Sequence, residues 1–324
     1  QYNCRKKEVI PAISEDDFRM IADWGFDFAR IPMSYRCLTT PDHPFTLGEA
    51  GMAKIDKVVE YGDRHGVHVN LNLHRAPGFC INDDELEPFG WLDDDGIAVD
   101  YFCAMWCDLA RRYKGIPSEK LTFNFINEPD EKPRIGPTLT RPRYCQVMKR
   151  VIREVHEVDP DRHCVFDGWR ASVETLPELA GIPNTSFSFH GYYPHELTHH
   201  AVGGWRAECP VPTWPEHGAE NTYWDRNALE VYIRKWCDFA KEFSVPIHMG
   251  ECGCGRFTPH RVLLAWAEDL FSLCREYGVG YAYWRVYGGE FGVFKRIPNP
   301  GMPLTRKIGD FYLDEELLKI LQKN

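Results

Sequence analysis

The chain has 324 residues, a formal net charge of −10 and 14% aromatic side chains. Its length suits one large domain or two modest ones, and no Ser/Gly-rich or Pro-rich linker divides it. The acidic balance argues against nucleic acid, whose phosphates need a basic face, and no apolar run is long enough to span a membrane.

Ser14 and Asp17 have the spacing of a capping box, with Asp in place of the usual Glu or Gln. The helix they open turns Phe18, Ile21 and Ala22 inward and stops at Gly25. A strand over 26–31 ends in Arg30-Ile31-Pro32, and a helix through Met52, Ile55, Val58 and Val59 closes near Gly66. Residues 67–74 form the next strand, ending at His74. A helix through Val99, Phe102, Trp106, Leu109 and Ala110 leads to a strand over 121–126. Its aromatic and apolar residues read as buried, and Pro129 ends regular pairing just after Asn127-Glu128. A helix through Tyr144, Val147, Met148, Val151, Ile152 and Val155 is halted by Pro160. A strand over 163–169 and a short helical piece over 171–179 come next, then a strand over 185–193. Phe187 and Phe189 point into helix packing.

The stretch 194–226 is too long for an ordinary connection and carries His195, His199, His200, Trp205, Trp214 and Trp224. It reads as a wall or lid over a site rather than a self-packed excursion. A helix over 229–243 leads to a strand over 246–252, which contains Gly250-Glu251. Thr258 and Pro259 cap the next helix, with Pro at its first position. A strand over 280–287 and a helix over 314–322 close the chain.

Strict alternation of strand and helix implies a parallel sheet. Seven strands end in polar or aromatic residues: Arg30, His74, Glu128, Trp169, His190, Glu251 and Trp284. Such ends on every unit suit a ring in which they converge, so a (β/α)8 TIM barrel is expected over an open doubly wound sheet. Residues 1–324 are then one catalytic barrel with a long loop after strand 6. Its first strand, within residues 1–10 or upstream, is weak or truncated.

Twelve cysteines in a chain this long are no disulfide scaffold, and Cys103, Cys107, Cys145, Cys237 and Cys274 read as small core residues. Free thiols favour a reducing, cytoplasmic compartment, unless an upstream export signal has been removed. Cys252 and Cys254 beside His248, or the pair His199-His200, raise zinc as an alternative. Their spacing is not that of a zinc site, so no metal and no cofactor is expected.

Two carboxylates at facing strand ends are the minimum apparatus for glycoside hydrolysis, one protonated to release the leaving oxygen and one ionised. The ordered set Arg30-Ile31-Pro32, Leu73-His74-Arg75-Ala76-Pro77-Gly78, Asn127-Glu128-Pro129, His190-Gly191-Tyr192, Gly250-Glu251 and Tyr283-Trp284 resembles the family 5 glycoside hydrolases, the cellulase family, over residues 14–322. The resemblance implies that Glu128 is the acid/base and Glu251 the nucleophile of a retaining, double-displacement enzyme. It implies that Arg30 and Tyr192 hold Glu251, that Asn127 binds the 2-hydroxyl, and that His74 and His190 line that subsite. It implies that Trp284 is the sugar platform; apart from the resemblance, Trp91, Trp169, Trp205 and Trp214 are candidates for outer subsites, and Arg285 and Tyr287 for the border of the cleft. A monomer cleaving β-linked oligo- or polysaccharide follows, by preference an endo-β-1,4-glucanase. A β-1,3-glucanase, an exo-acting β-glucosidase, a mannanase and a sugar-binding pseudoenzyme stay open.

Overall fold

A computed structural model describes residues 12–40, 42–43, 46–82, 90–92, 96–131, 139–217 and 222–323. The expected first strand within residues 1–10 lies outside them. The chain forms two compact units, one containing residues 12–189 and 243–246 and the other residues 190–242 and 247–324. Among the described residues no helix is long and apolar enough to cross a membrane.

The first unit opens with α1 (Glu15–Asp23), where the Asp17 carboxylate accepts from both the main-chain N–H and the hydroxyl of Ser14. There follow β1 (Phe28–Ser34), α2 (Tyr35–Leu38), α3 (Glu49–His65), β2 (His68–Ala76) and β3 (Phe79–Cys80). Then come α4 (Ile97–Arg112), β4 (Leu121–Asn124), α5 (Arg141–Val158), β5 (Cys164–Asp167), the single turn α6 (Trp169–Ser172) and β6 (Thr185–Gly191). Strands β1, β2, β4, β5 and β6 pair in that order and all in parallel, with β3 folded back antiparallel on β2. The register aligns Ile31 with Leu71, Asn72 with Asn124, and Asp167 with Ser188.

Both faces of this sheet are buried, yet they differ in chemistry. One face is aromatic: Phe123 and Phe125 lie 5.1 and 5.3 Å from Trp106 of α4, and Phe125, Phe166 and Phe187 form a continuous row. Phe187 and Phe189 therefore sit in the packing layer expected of them, both fully buried. The alternate positions make the other face polar, with Asn70, Asn72, Thr122, Asn124, Asp167, Ser186 and Ser188 all buried. Period-two alternation normally separates core from solvent. Here it separates an apolar layer from a hydrogen-bonded one, in which Asn70 donates to Thr122 and Asn72 to Asn124, each at 2.8 Å.

The short helical piece expected over 171–179 is interrupted: a turn at Trp169–Ser172 and a 3₁₀ turn at Pro177–Leu179 flank non-helical residues. Arg170, Ala171 and Ser172 have φ of 51, 53 and 66°, a left-handed run that an α-helix of L-residues does not continue. Trp169 and Glu174 instead close an antiparallel bridge through their main chains. The first strand also runs past its expected end, carrying Pro32 opposite Asn72. Among the described residues β1 bonds only to β2, and edge strands tolerate proline.

In the second unit the long excursion after β6 contains α7 (His195–Thr198), a 3₁₀ turn at Val202–Gly204 and a hairpin of β7 (Glu216–His217) and β8 (Tyr223–Trp224). Helix α8 (Arg226–Phe243) leads to β9 (Ile247–Cys252), and α9 (His260–Glu276) to β10 (Gly280–Tyr283). The last two strands pair in parallel, Gly280 with His248 and Tyr283 with Cys252. Pro259 is the N-cap of α9 rather than its first residue, and β10 stops at Tyr283 rather than at 287. Residues beyond it form a small sheet that the sequence reading did not contain. Its strands are β11 (Tyr287–Gly288), β12 (Phe294–Lys295), β13 (Arg306–Ile308) and β14 (Phe311–Leu313), ordered β11-β12-β14-β13. Helix α10 (Glu315–Leu321) ends the chain with Asp314 as its N-cap.

Asp314 ties this sheet to α9. Its carboxylate accepts from Leu317 N–H at 3.1 Å and lies 2.9 Å from His260 Nε2 and 3.6 Å from Lys295 Nζ, both side chains buried. Burial raises its pKa, but the hydrogen bond from His260 and the Lys295 charge outweigh burial and hold it below the usual aspartate value. A depressed carboxylate stabilises the fold above its unfolded pKa, and that contribution is lost as pH falls through the folded value. Asp314→Ala should therefore cost about 3–5 kcal/mol at neutral pH, because it leaves Lys295 buried without its carboxylate. Urea denaturation at pH 7 and pH 3 tests this: the gap between variant and parent should shrink at the lower pH, and an equal gap at both would contradict it.

Candidate active site

Four of the eight expected site residues belong to the first unit. Arg30 emerges from β1 with its side chain 3% exposed. It donates from Nε to Asn124 Oδ1 at 3.0 Å and from Nη2 to Asn127 Oδ1 at 2.8 Å, and Nη2 lies 3.6 Å from Asp167 Oδ2. With its oxygen committed to Arg30, the Asn127 amide nitrogen faces the other way, 3.4 Å from His74 Nε2 and 3.3 Å from Glu128 Oε2. Arg30, inside β1, is thus connected through Asn127 to His74 and Glu128, which lie near the C-terminal end of β2 and just beyond β4.

Glu128 is half-buried and has φ of 48°, the left-handed region, which costs a residue with a Cβ about 1–3 kcal/mol. The surroundings compensate: its N–H donates to Asp167 Oδ2 at 3.0 Å, and the carbonyl of Pro129 accepts from Ala171 N at 3.1 Å. The left-handed run that replaces the expected helix is what presents Ala171 N–H there.

The other four residues belong to the second unit. Glu251, at the end of β9, is 4% exposed and accepts from the Tyr192 hydroxyl at 3.0 Å, with His190 Nδ1 3.8 Å away. The His190 carbonyl is pinned by the Tyr232 hydroxyl at 2.7 Å. Gly191 between them has a packing cause, since a Cβ there would lie 2.4 Å from Met249 Sδ. Trp284 follows β10, its N–H bonded to the carbonyl of Cys252 at 2.6 Å, and Arg285 stands 6.0 Å from its ring.

Two expected stacking residues are core instead. Trp91 is 2% exposed, donates to Pro77 O at 2.8 Å and packs on Phe102. Trp169, equally buried, packs on Tyr144. Neither offers a free ring face to a sugar. Trp205 is exposed, and half-buried Trp214 donates to Asp269 at 2.8 Å. The zinc alternative meets neutral thiols. Cys252 donates to Ala282 O and Cys254 to Leu197 O, and burial pushes Cys254 up to about 12 and Cys252 well above the ordinary thiol value. Thiols held this way are poor metal ligands, which must be thiolates. Among the described residues ten cysteines are free and Cys37 is disulfide-bonded.

Asn124 and Asp167 are the residues sequence reading missed. Both are fully buried, and Asn124 donates to Asp167 Oδ1 at 2.9 Å. Their signal was the polar phase of the strand alternation, which places Asn72, Asn124 and Asp167 on the same face as Arg30 and His74.

The sequence model of cellulase, glycosyl hydrolase family 5, matches residues 4–290. Endoglucanase C of Acetivibrio thermocellus is 24% identical over 93% of this chain and 92% of its own length. A crystal structure of a glycoside hydrolase superposes with a TM-score of 0.88 at 33% identity, covering 99% of this chain and 96% of that one. Cel5A of Thermotoga maritima, in complex with cellobiose, superposes at 0.74 with 19% identity, covering 95% and 90%. The fold is that of the (β/α)8 barrel glycosidases. The chain belongs to the cellulase family, glycosyl hydrolase family 5, and is an O-glycosyl hydrolase.

Arg30→Met keeps the apolar stem but removes the guanidinium beside Asp167. The expected loss is about 3–5 kcal/mol, the cost of breaking a buried pair from one side. Guanidinium denaturation measures it, and an unchanged midpoint would mean that this ion pair does not hold the strand ends.

Proposed function

We propose that the protein hydrolyses a β-glucan, by preference within a β-1,4-linked chain, through retaining double displacement with Glu128 as acid/base and Glu251 as nucleophile. What carries the reading is family membership over residues 4–290 together with a glutamate at the expected place in each unit. The curated relative named endoglucanase C adds the substrate class.

Glu128 gives its proton to the glycosidic oxygen while Glu251 attacks the anomeric carbon, forming a glycosyl ester. A retaining pair needs its carboxyl groups about 5–5.5 Å apart. The Tyr192 hydroxyl on Glu251 favours its ionised form, as a hydrogen bond to a carboxylate does. Once Glu251 is esterified its charge is gone, and Glu128 can ionise and activate water. Asn127 has its oxygen taken by Arg30, which turns its amide nitrogen toward His74 and Glu128, and from there it would donate to the 2-hydroxyl. The likeness to the family assigns His74 and His190 to binding of the reacting sugar and Trp284 to stacking on it.

Incubation with cello-, laminari- and manno-oligosaccharides tests the reading. Cleavage of cello-oligosaccharides at internal bonds is expected, and turnover of none of the three would refute it. Glu251→Gln should lower kcat at least about 1000-fold while largely sparing binding. Full residual activity would remove it as nucleophile. The pH–rate profile should be bell-shaped, because one carboxyl must be protonated and the other ionised. A rate flat from about pH 4 to 9 would contradict that pairing. Rates should be unchanged in EDTA; a loss would revive a metal-dependent mechanism.

A further inference from the structure

We infer that Asp167 is a positioning residue for the acid step: its buried carboxylate fixes the main chain of Glu128 and so sets where that side chain delivers its proton. The inference rests on Glu128 being the acid/base. Asp167 is fully buried at the end of β5 and touches the Asn-Glu-Pro turn through one oxygen, Oδ2, which accepts from Glu128 N–H at 3.0 Å with Arg30 Nη2 3.6 Å away. Its other oxygen accepts from Asn124 Nδ2 at 2.9 Å, and Asn124 in turn accepts from Arg30. One carboxylate thus locks together the left-handed turn at Glu128, the guanidinium that orients Asn127, and the asparagine between them.

The chemistry of the position is specific. Donors face both oxygens, and a carboxylate is acceptor-only at each. An amide would set an N–H₂ group against a donor whichever way it were turned. Asp167→Asn therefore keeps size and shape but drives either Glu128 N–H or Asn124 away. Since Glu128 occupies a backbone region that residues with a Cβ avoid, loss of its N–H bond lets the turn relax and moves its carboxyl.

In the acid step the Glu128 carboxyl gives its proton to the glycosidic oxygen as the C–O bond breaks and its electron pair passes to that oxygen. A sugar hydroxyl leaving group needs that proton; a dinitrophenolate, a weak base, does not. Misplacing the acid should therefore penalise natural linkages selectively. General damage to the barrel would penalise both alike. The quantity to compare is kcat/KM, which reports steps only through glycosylation and so excludes the later base step.

The experiment measures kcat/KM for cellotetraose and for dinitrophenyl β-cellobioside in the full-length parent, D167N, E128Q and Y144F. D167N should lose about 100-fold or more on cellotetraose and less than about threefold on the aryl glycoside, within the range of general acid catalysis. An equal fall on both substrates, or no fall on either, overturns the inference. Tyr144 donates to the main-chain carbonyl of Asp167 at 2.9 Å, away from the carboxylate, so Y144F should keep the parental ratio. A changed ratio there would trace the effect to strand packing and overturn the inference as well. E128Q is the reference and should show the same selectivity. If E128Q is unselective, the assignment of Glu128 falls, and this inference with it. If E128Q is selective and D167N is not, only the inference falls. Should D167N fail to fold, D167E decides by the same ratio, since it keeps two acceptors but displaces them by a methylene.

Discussion

One guanidinium, Arg30, sits nearly water-free between two asparagine oxygens and an aspartate. Burying such a charge is costly unless its partners are complete, and removing a partner costs more than the whole arrangement contributes. The polar face of the first unit is organised to supply those partners. Asn72 orients Asn124, Asn124 orients Asp167, and the two together fix Arg30. Asn127 then turns its amide N–H₂ toward His74 and Glu128. In this way a chain of hydrogen bonds running across four strands determines which way the side chains at the strand ends face.

The same network accounts for the backbone at Glu128. A glutamate with positive φ is held against its own preference, and it is held by an N–H bond to Asp167 on one side and by the Ala171–Pro129 bond on the other. The left-handed run at residues 170–172 is thus part of the support for the site. Glu251, in the second unit, is supported differently, by a tyrosine hydroxyl on its carboxylate and by close packing of Gly191 against Met249. One glutamate is fixed mainly through its main chain and the other through its side chain. That difference suits the roles proposed for them, an acid that must change protonation state and a nucleophile that must stay ionised until it reacts.

The alternation of strands and helices was legible because it rests on local patterns: apolar periodicity, Gly and Pro stops, and Asn-Glu-Pro after an aromatic strand. The resemblance then supplied roles that spacing could not. What was illegible depended on long-range pairing. Asp167 looked like one more strand residue before Trp169, and only the register across β4 and β5 shows it meeting Glu128. Trp91 and Trp169 were read as outer-subsite residues from residue type alone, yet each is consumed by the core. The helix expected at 171–179 followed its apolar residues and missed a left-handed turn braced by main-chain bonds between Trp169 and Glu174 and from Ala171 to Pro129. The small sheet at 287–313 was missed because its strands are two or three residues long, below what alternation can reveal.

The central claim is a covalent double displacement on Glu251, and stereochemistry tests it most directly. Proton NMR of a cello-oligosaccharide digest, recorded before the products mutarotate, reads the anomer first released. The account predicts the β-anomer, with the α-anomer appearing only at the rate of spontaneous mutarotation. Initial release of the α-anomer would mean direct attack by water, and the roles assigned to the two glutamates would be wrong.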